Sequence, residues 1–281
     1  MNPRQLRKYF PVFALPTLTV FTVIFLIPFI AGIYLSFTSF TTVTDSVFVG
    51  LQNYITAFSD SDFIRSFFFT VAFAILSVIT INVFAFALAL LLTGRLKGTN
   101  FFRTVFFMPN LIGGIVLGYI WQLIINGVLL NFGYTITSDA KYGFIGLLVL
   151  MNWQMIGYMM IIYIAGIQNI PESILEAARV DGASYGTTLR KIIIPSVMPS
   201  ITICLFLTIT NSFKLFDQNL ALTAGAPAKQ TQMLALDIYN TFYGRSGYEG
   251  VGQAKAVIFF IVVALISLLQ LYFTRKKENE A

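Results

Sequence analysis

Few residues in this chain could do chemistry of their own. The sequence holds no histidine and one cysteine, Cys204, which excludes an internal disulfide, a Cys/His zinc site and a histidine-dependent triad by inventory. It also lacks a glycine-rich loop ending in Gly-Lys-Ser or Gly-Lys-Thr, so any nucleotide energy must come from another subunit. No catalytic residue, metal ligand or bound cofactor is expected. The stretch that stands out is Glu176-Ala177-Ala178-Arg179-Val180-Asp181-Gly182, followed by Ile192 and by Ile194-Pro195. Its alanines let another backbone come close, Gly182 permits a sharp reversal, and Glu176 offers a charged contact. That is the chemistry of docking.

A second set of residues sits inside apolar runs. A central charge costs roughly 2.5 to 3.5 kcal/mol on insertion scales, so polar groups found there are candidates for lining a pathway. They are Asn82, Asn110, Gln122, Asn152, Gln154, Asn211 and Lys214. Lys214 and Asp217 are three apart and could pair on a helix. Amides in membranes also serve helix packing, and tryptophans also serve as interfacial anchors.

These residues need elements to position them. A chain that is 57% hydrophobic and only 11% charged has more apolar surface than a soluble domain of this size can bury, and it belongs in a bilayer. A span takes about 20 apolar residues, and six runs qualify, at about 12–37, 66–93, 104–125, 143–165, 197–216 and 254–273. The expected fold is all-α and polytopic, one membrane domain over residues 1–281 with its core at about 66–273. With the N-terminus inside, the inner side carries Arg4, Arg7, Lys8, Arg95, Lys97, Arg103, Arg179, Arg190, Lys191, Arg275, Lys276 and Lys277, against Arg65, Lys141, Lys214, Lys229, Arg245 and Lys255 on the outer side or the outer half of a helix. That bias places both termini inside. The net charge of +6 sits in short clusters at helix ends, with no stripe or aromatic platform, which argues against nucleic acid. The first run is too long for a secretory h-region and reads as an uncleaved helix.

The longest inner connection is 166–195. Pro171 suits a first-turn position, and Ile170, Ile174, Ala177 and Ala178 recur at helical spacing before Asp181-Gly182 breaks the run. Ser184 can cap a second helix carrying Leu189, Ile192 and Ile193 and ending at Pro195. The prediction is a helix, a glycine turn and a helix. Gly114 with Gly118, and Ala85 with Ala89, form small-residue pairs that let helices approach.

Glu176-Ala177-Ala178, three residues, Gly182, nine residues, Ile192, one residue, an aliphatic and Pro195 together resemble the EAA signature of permease subunits in ATP-binding-cassette importers. Tyr163 to Pro171, Asp181-Gly182-Ala183 and Leu222 to Pro227 resemble the sugar-permease branch, the maltose and glycerol-phosphate type. Ile194 stands where leucine is usual, and Ala226 where a second glycine is. The resemblance implies a type I importer permease fold in a bacterial plasma membrane. Its partners would be a second permease subunit, a pair of ATPase subunits that use ATP and magnesium, an outer solute-binding protein, and membrane lipid. Glu176, Ala177, Ala178, Asp181, Gly182, Ile192 and Pro195 would form the ATPase-coupling element. Sugars need amide or hydroxyl partners and an aromatic face, so Asn152, Trp153, Tyr158, Asn211, Lys214 and Asp217 are the candidates for the solute pathway. The alternative class is an ATP-independent secondary transporter or channel.

Overall fold

A computed structural model describes residues 3–94 and 97–280, with side chains throughout except at 3–9, 43, 277, 279 and 280. Arg95, and the side chains of Arg4, Arg7, Lys8 and Lys277, therefore lie outside the described residues.

The described chain is built almost wholly of helices. Helix α1 (Pro3–Phe21), a π turn (Thr22–Leu26) and α2 (Ile27–Leu35) form one apolar run, Phe10–Leu35. The π turn ends two residues before Pro28, whose missing N–H and bulky ring disturb the regular ladder. A two-stranded antiparallel hairpin follows, β1 (Thr38–Ser39) with β2 (Val47–Phe48), pairing Thr38 with Phe48. Then come α3 (Gln52–Ser59), α4 (Ser61–Thr93), α5 (Thr99–Phe107), α6 (Gly114–Leu129), α7 (Ala140–Gln168) and α8 (Glu172–Val180). The chain continues through α9 (Tyr185–Thr188), α10 (Ile194–Ser196), α11 (Met198–Phe213), α12 (Asp217–Leu222), α13 (Leu234–Gly244) and α14 (Glu249–Glu280).

Five helical stretches among the described residues are long and apolar enough to cross a membrane: Phe10–Leu35, Ser61–Thr93, Gly114–Phe132, Ala140–Gln168 and Glu249–Lys276. The sixth expected span appears only as a bent pair, Tyr185–Ser196 with Met198–Phe213, at 69°. Two boundaries differ from expectation. The third run does not begin at 104, because α5 stops at Phe107, a 3-10 turn occupies Met108–Leu111, and the helix restarts at Gly114. Pro109, near the start of that turn, and Gly113 are the cause, since neither favours an unbroken helix there. The second hairpin helix does not end at Pro195, which sits at the start of α10, and the bend falls at Val197.

The chain folds as two compact units, Met1–Ser61 with Ile238–Phe259, and Asp62–Asp237 with Phe260–Ala281. In the larger unit, Phe73, Ile81, Ala85 and Ala89 of α4 are fully buried with Leu147, Leu150, Met159 and Met160 of α7 and Cys204 of α11. The alanine pair thus acts as the close-packing surface that its spacing predicts. Gly118 does the same for α6, where an added Cβ would stand 2.5 Å from the Cβ of Ala221 on α12. Gly157 of α7 sits directly on the carbonyl of Phe106, an approach only glycine allows.

In the smaller unit, Asn53 of α3 donates from Nδ2 to the carbonyls of Ser36 (2.9 Å) and Thr38 (2.8 Å). Lys255 of α14 is fully buried. Its Nζ lies 2.8 Å from an Asp60 carboxylate oxygen and 2.8 Å from Thr241 Oγ1.

Candidate functional site

The Glu176 segment folds as a hairpin whose turn is closed by its own backbone. After α8 caps on Asp181, Gly182 adopts φ +69°. Its N–H donates to the Arg179 carbonyl (3.1 Å), and the Ala183 N–H donates to that of Ala178 (2.9 Å). These two bonds make a Schellman motif, which requires a left-handed residue and favours glycine. The Ser184 hydroxyl then accepts from the Thr187 N–H at 3.2 Å and caps α9, as its sequence position predicts. Pro171 stands at the N-cap of α8, one residue earlier than expected.

Beyond α9 the backbone widens into a π turn, Leu189–Ile193. It ends two residues before Pro195, the relation already seen at Pro28, so Ile192 lies within a π turn and not an α-helix. The hairpin is fastened by a small apolar cluster of Ile170, Ile193 and Val197, with Phe86 and Leu90 of α4, Ile167 of α7, and Leu175, Leu189 and Ile201 packed against it. Ala178 is buried, Ile192 and Pro195 are half-buried, and Glu176, Ala177, Asp181 and Gly182 are exposed. The two alanines of the motif therefore face different ways.

Two tip residues escaped the sequence reading. Val180 is 86% exposed and Tyr185 69% exposed, on either side of Gly182, around which an added Cβ would meet nothing within 4 Å. The signal was present: an apolar residue on each side of the Asp-Gly break. The tip offers an open, partly apolar surface with Glu176 and Asp181 beside it.

The intramembrane polar residues divide by their partners. Asn82 is fully engaged: its Nδ2 donates to Thr208 Oγ1 (3.0 Å) and its Oδ1 accepts from the Tyr163 hydroxyl (2.7 Å), tying α4, α7 and α11 together. Gln154 accepts from Gln218 Nε2 (2.8 Å), and Gln122 donates to the Leu222 carbonyl (2.9 Å). These amides hold α12 against α6 and α7. Asn152 instead donates back to Leu148 (2.8 Å) and leaves its Oδ1 buried without a partner among the described residues. Asn211 donates back to Leu207 (2.8 Å) and is exposed.

Trp153, 44% exposed, meets Trp121 edge-on at 5.6 Å, and Tyr158 meets Phe107 at 6.3 Å. Lys214 and Asp217 do not pair. Lys214 caps the end of α11 and Asp217 opens α12, so the helix that would have set them on one face ends between them. Among the described residues no hydrogen bond or ion pair joins Asn152, Trp153, Tyr158, Asn211, Lys214 or Asp217 to one another. Nor do any three or more His, Cys, Asp or Glu side chains among the described residues gather in a way that could hold a metal ion.

Comparison with known proteins agrees with this architecture. Residues 94–279 match the family model described as binding-protein-dependent transport system inner membrane component. The chain is 45% identical to the "Probable starch degradation products transport system permease protein AmyD" of Thermoanaerobacterium thermosulfurigenes, over 95% of this chain and 94% of that protein. It is 31% identical to the "Multiple sugar-binding transport system permease protein MsmF" of Streptococcus mutans, over 98% of each. Among solved structures, a chain of a bacterial ABC transporter that imports the acidic polysaccharide alginate superposes with a TM-score of 0.82 at 18% identity, over 97% of this chain and 98% of that one. A chain of a bacterial alginate ABC transporter in complex with an alginate pentasaccharide-bound periplasmic protein gives 0.82 at 20% identity, over 98% of this chain and 97% of that one. At these identities the structures establish a shared fold.

Proposed function

The chain belongs to the family of binding-protein-dependent transport system inner membrane components, and from that premise we propose that it forms half of a membrane pathway for carbohydrate uptake. The relatives' sugar substrates support the solute class. A second permease subunit completes the pathway, an outer solute-binding protein delivers the sugar, and two ATPase subunits hydrolyse magnesium-ATP on the inner face. This chain performs no catalysis and binds no nucleotide. Both termini lie on the cytoplasmic side, and the whole chain works as one membrane domain.

The observation that carries this reading is the hairpin, closed at Gly182 by its own backbone and presenting an open tip. Its root is packed on α4 and α7 by Ile170, Ile193 and Val197, so a push on the tip is passed to two membrane helices as a near-rigid displacement. Glu176, Ala177, Asp181 and Gly182, with Val180 and Tyr185, form the part that enters a cleft on an ATPase subunit. Ala178, Ile192 and Pro195 hold the root. When ATP closes the ATPase pair, the hairpins move together and the helices they are packed on open or close the pathway. Asn152, Trp153, Tyr158, Asn211, Lys214 and Asp217 are the residues offered to the sugar. Asn152 is the first choice of the two half-buried ones, because its unpartnered Oδ1 costs desolvation that a solute hydroxyl reaching it would offset.

Reconstitution of this chain with its partner subunits and a panel of oligosaccharides tests the proposal. ATP hydrolysis should be stimulated by at least one sugar in the presence of its binding protein. Sugar uptake that persists without the ATPase would instead identify an ATP-independent transporter.

A further inference from the structure

The segment between the first two spans carries a surface that coupling does not use. Along α3 the residues at helical spacing Leu51, Ile55 and Phe58 are 62%, 58% and 60% exposed, and Val47 and Phe48 of the preceding strand are exposed at 64% and 68%. Residues i, i+4 and i+7 share one face of a helix. The opposite face is committed to the fold: Asn53 and Ala57 are buried, and Tyr54 shares a 2.6 Å hydrogen bond with Ser36. Gln52, exposed, and Thr56, half-buried, lie to one side of the apolar stripe.

Where α3 sits along the membrane normal follows from what holds it. Asn53 binds the carbonyls of Ser36 and Thr38, directly after the first span ends at Leu35. Gly250, in the first turn of the last span, lies so close to the Thr38 carbonyl and to Asn53 that a Cβ would collide with them. At the other end of α3, Asp60 grips the fully buried Lys255 of α14 at 2.8 Å, with Arg245 at 3.4 Å. Both ends of α3 are thus fastened beside two apolar helices long enough to span, Phe10–Leu35 and Glu249–Lys276. Burying a charged pair is costly unless its geometry is well satisfied, and here it fixes one helix at one depth.

We propose that α3 is an interfacial helix, lying where hydrocarbon gives way to headgroups beside the spans it is fastened to, with its Leu51–Ile55–Phe58 stripe seated in the lipid boundary. Helices of this kind lie in the interface plane with the apolar face about 5–10 Å into the headgroup and acyl boundary. Residues 51–59 carry no charge, so the attachment is apolar and does not depend on anionic lipid or on salt. The inference stands independently of the coupling role of the hairpin.

Depth measurement with single cysteines tests it. In a Cys204→Ala background, nitroxide labels at Ile55→Cys, Phe58→Cys, Gln52→Cys and Thr56→Cys are compared in the assembled transporter, in nanodiscs of zwitterionic phospholipid. Labels at 55 and 58 should collide with oxygen, relative to a water-soluble nickel chelate, several-fold more than labels at 52 and 56, and high salt should leave the ratio unchanged. Labels at 55 and 58 that collide mainly with the chelate, or that are shielded from both reagents, overturn the proposal, the second result pointing to a protein partner on that face. Asp60→Asn in the Ile55→Cys background should lower the ratio by releasing the anchor. An unchanged ratio there removes the ion pair from the account.

Discussion

Gly157 and Gly182 are the same residue put to opposite uses. Gly157 is buried in α7 with the Phe106 carbonyl pressed against it, whereas Gly182 stands at a hairpin tip with nothing near and a backbone φ of +69°. The first glycine admits the chain's own backbone. The second holds a turn and, in the proposed mechanism, leaves room for another protein. A small residue in a membrane sequence therefore carries two meanings, and only the surroundings separate them.

The largest effect should come from filling the inner site. Gly157→Val drives a side chain into a backbone carbonyl, and overpacking of a core costs typically 1 to 3 kcal/mol or more. The expected outcome is loss of folded protein in detergent extracts. Normal yield and melting temperature would show that α7 and α5 can part.

Gly182→Val should behave in the contrary way. It adds about 1 to 2 kcal/mol of left-handed strain or more at an exposed turn, so membrane amounts stay near normal while uptake falls to background. Gly182→Asn sharpens the comparison, because asparagine tolerates the left-handed region and adds only bulk. Uptake by the Asn variant near the native rate would mean that the turn matters and the free space does not.

A smaller contrast separates the amides. Asn82→Ala strands the Tyr163 hydroxyl and should lower stability by about 1 to 3 kcal/mol, read as a drop in thermal midpoint with little change in the sugar concentration needed for half-maximal uptake. Asn152→Ala removes an acceptor that already lacks a partner, so it should leave the midpoint nearly unchanged and shift the sugar dependence. The reverse pattern would exchange their roles.

The smallest effect concerns the loop after the first span. Hydrogen bonds from the Thr41 hydroxyl and the Thr42 amide hold the Asp45 carboxyl at about 2, below its ordinary 3.8. Because the folded value is depressed, the turn's stabilisation is complete above pH 4 or so and is lost as pH falls through about 2. Carbon-13 titration of a labelled Asp45 should give a midpoint near 2, and a midpoint at the ordinary value would remove those bonds.

Much of this was legible in the sequence, for identifiable reasons. Span count follows from apolar length, and the Gly182 turn and Ser184 cap follow from residues with narrow backbone roles. What escaped was hidden by apolar neighbours on both sides. The break at Pro109 to Gly113 lies inside one continuous hydrophobic run, and α12 begins with Asp217-Gln218-Asn219, which reads as loop until Gly114 and Gly118 are seen to admit it. In the sequence Lys255 is a lone cation at the start of the last apolar run, about 254–273. Its partner Asp60 is nearly two hundred residues away in sequence, beyond the reach of any local pattern. The candidate pathway residues were chosen by residue type alone, polar or aromatic, and the structure divides the amides by whether their hydrogen bonds are already met.

The most direct test of the central claim is site-specific photocrosslinking from the hairpin tip, with a benzophenone side chain at Val180 in the reconstituted transporter. The account predicts a covalent product with the ATPase subunit, absent when the ATPase is omitted and altered in yield by ATP. Products with lipid alone, or with the outer binding protein, would contradict it.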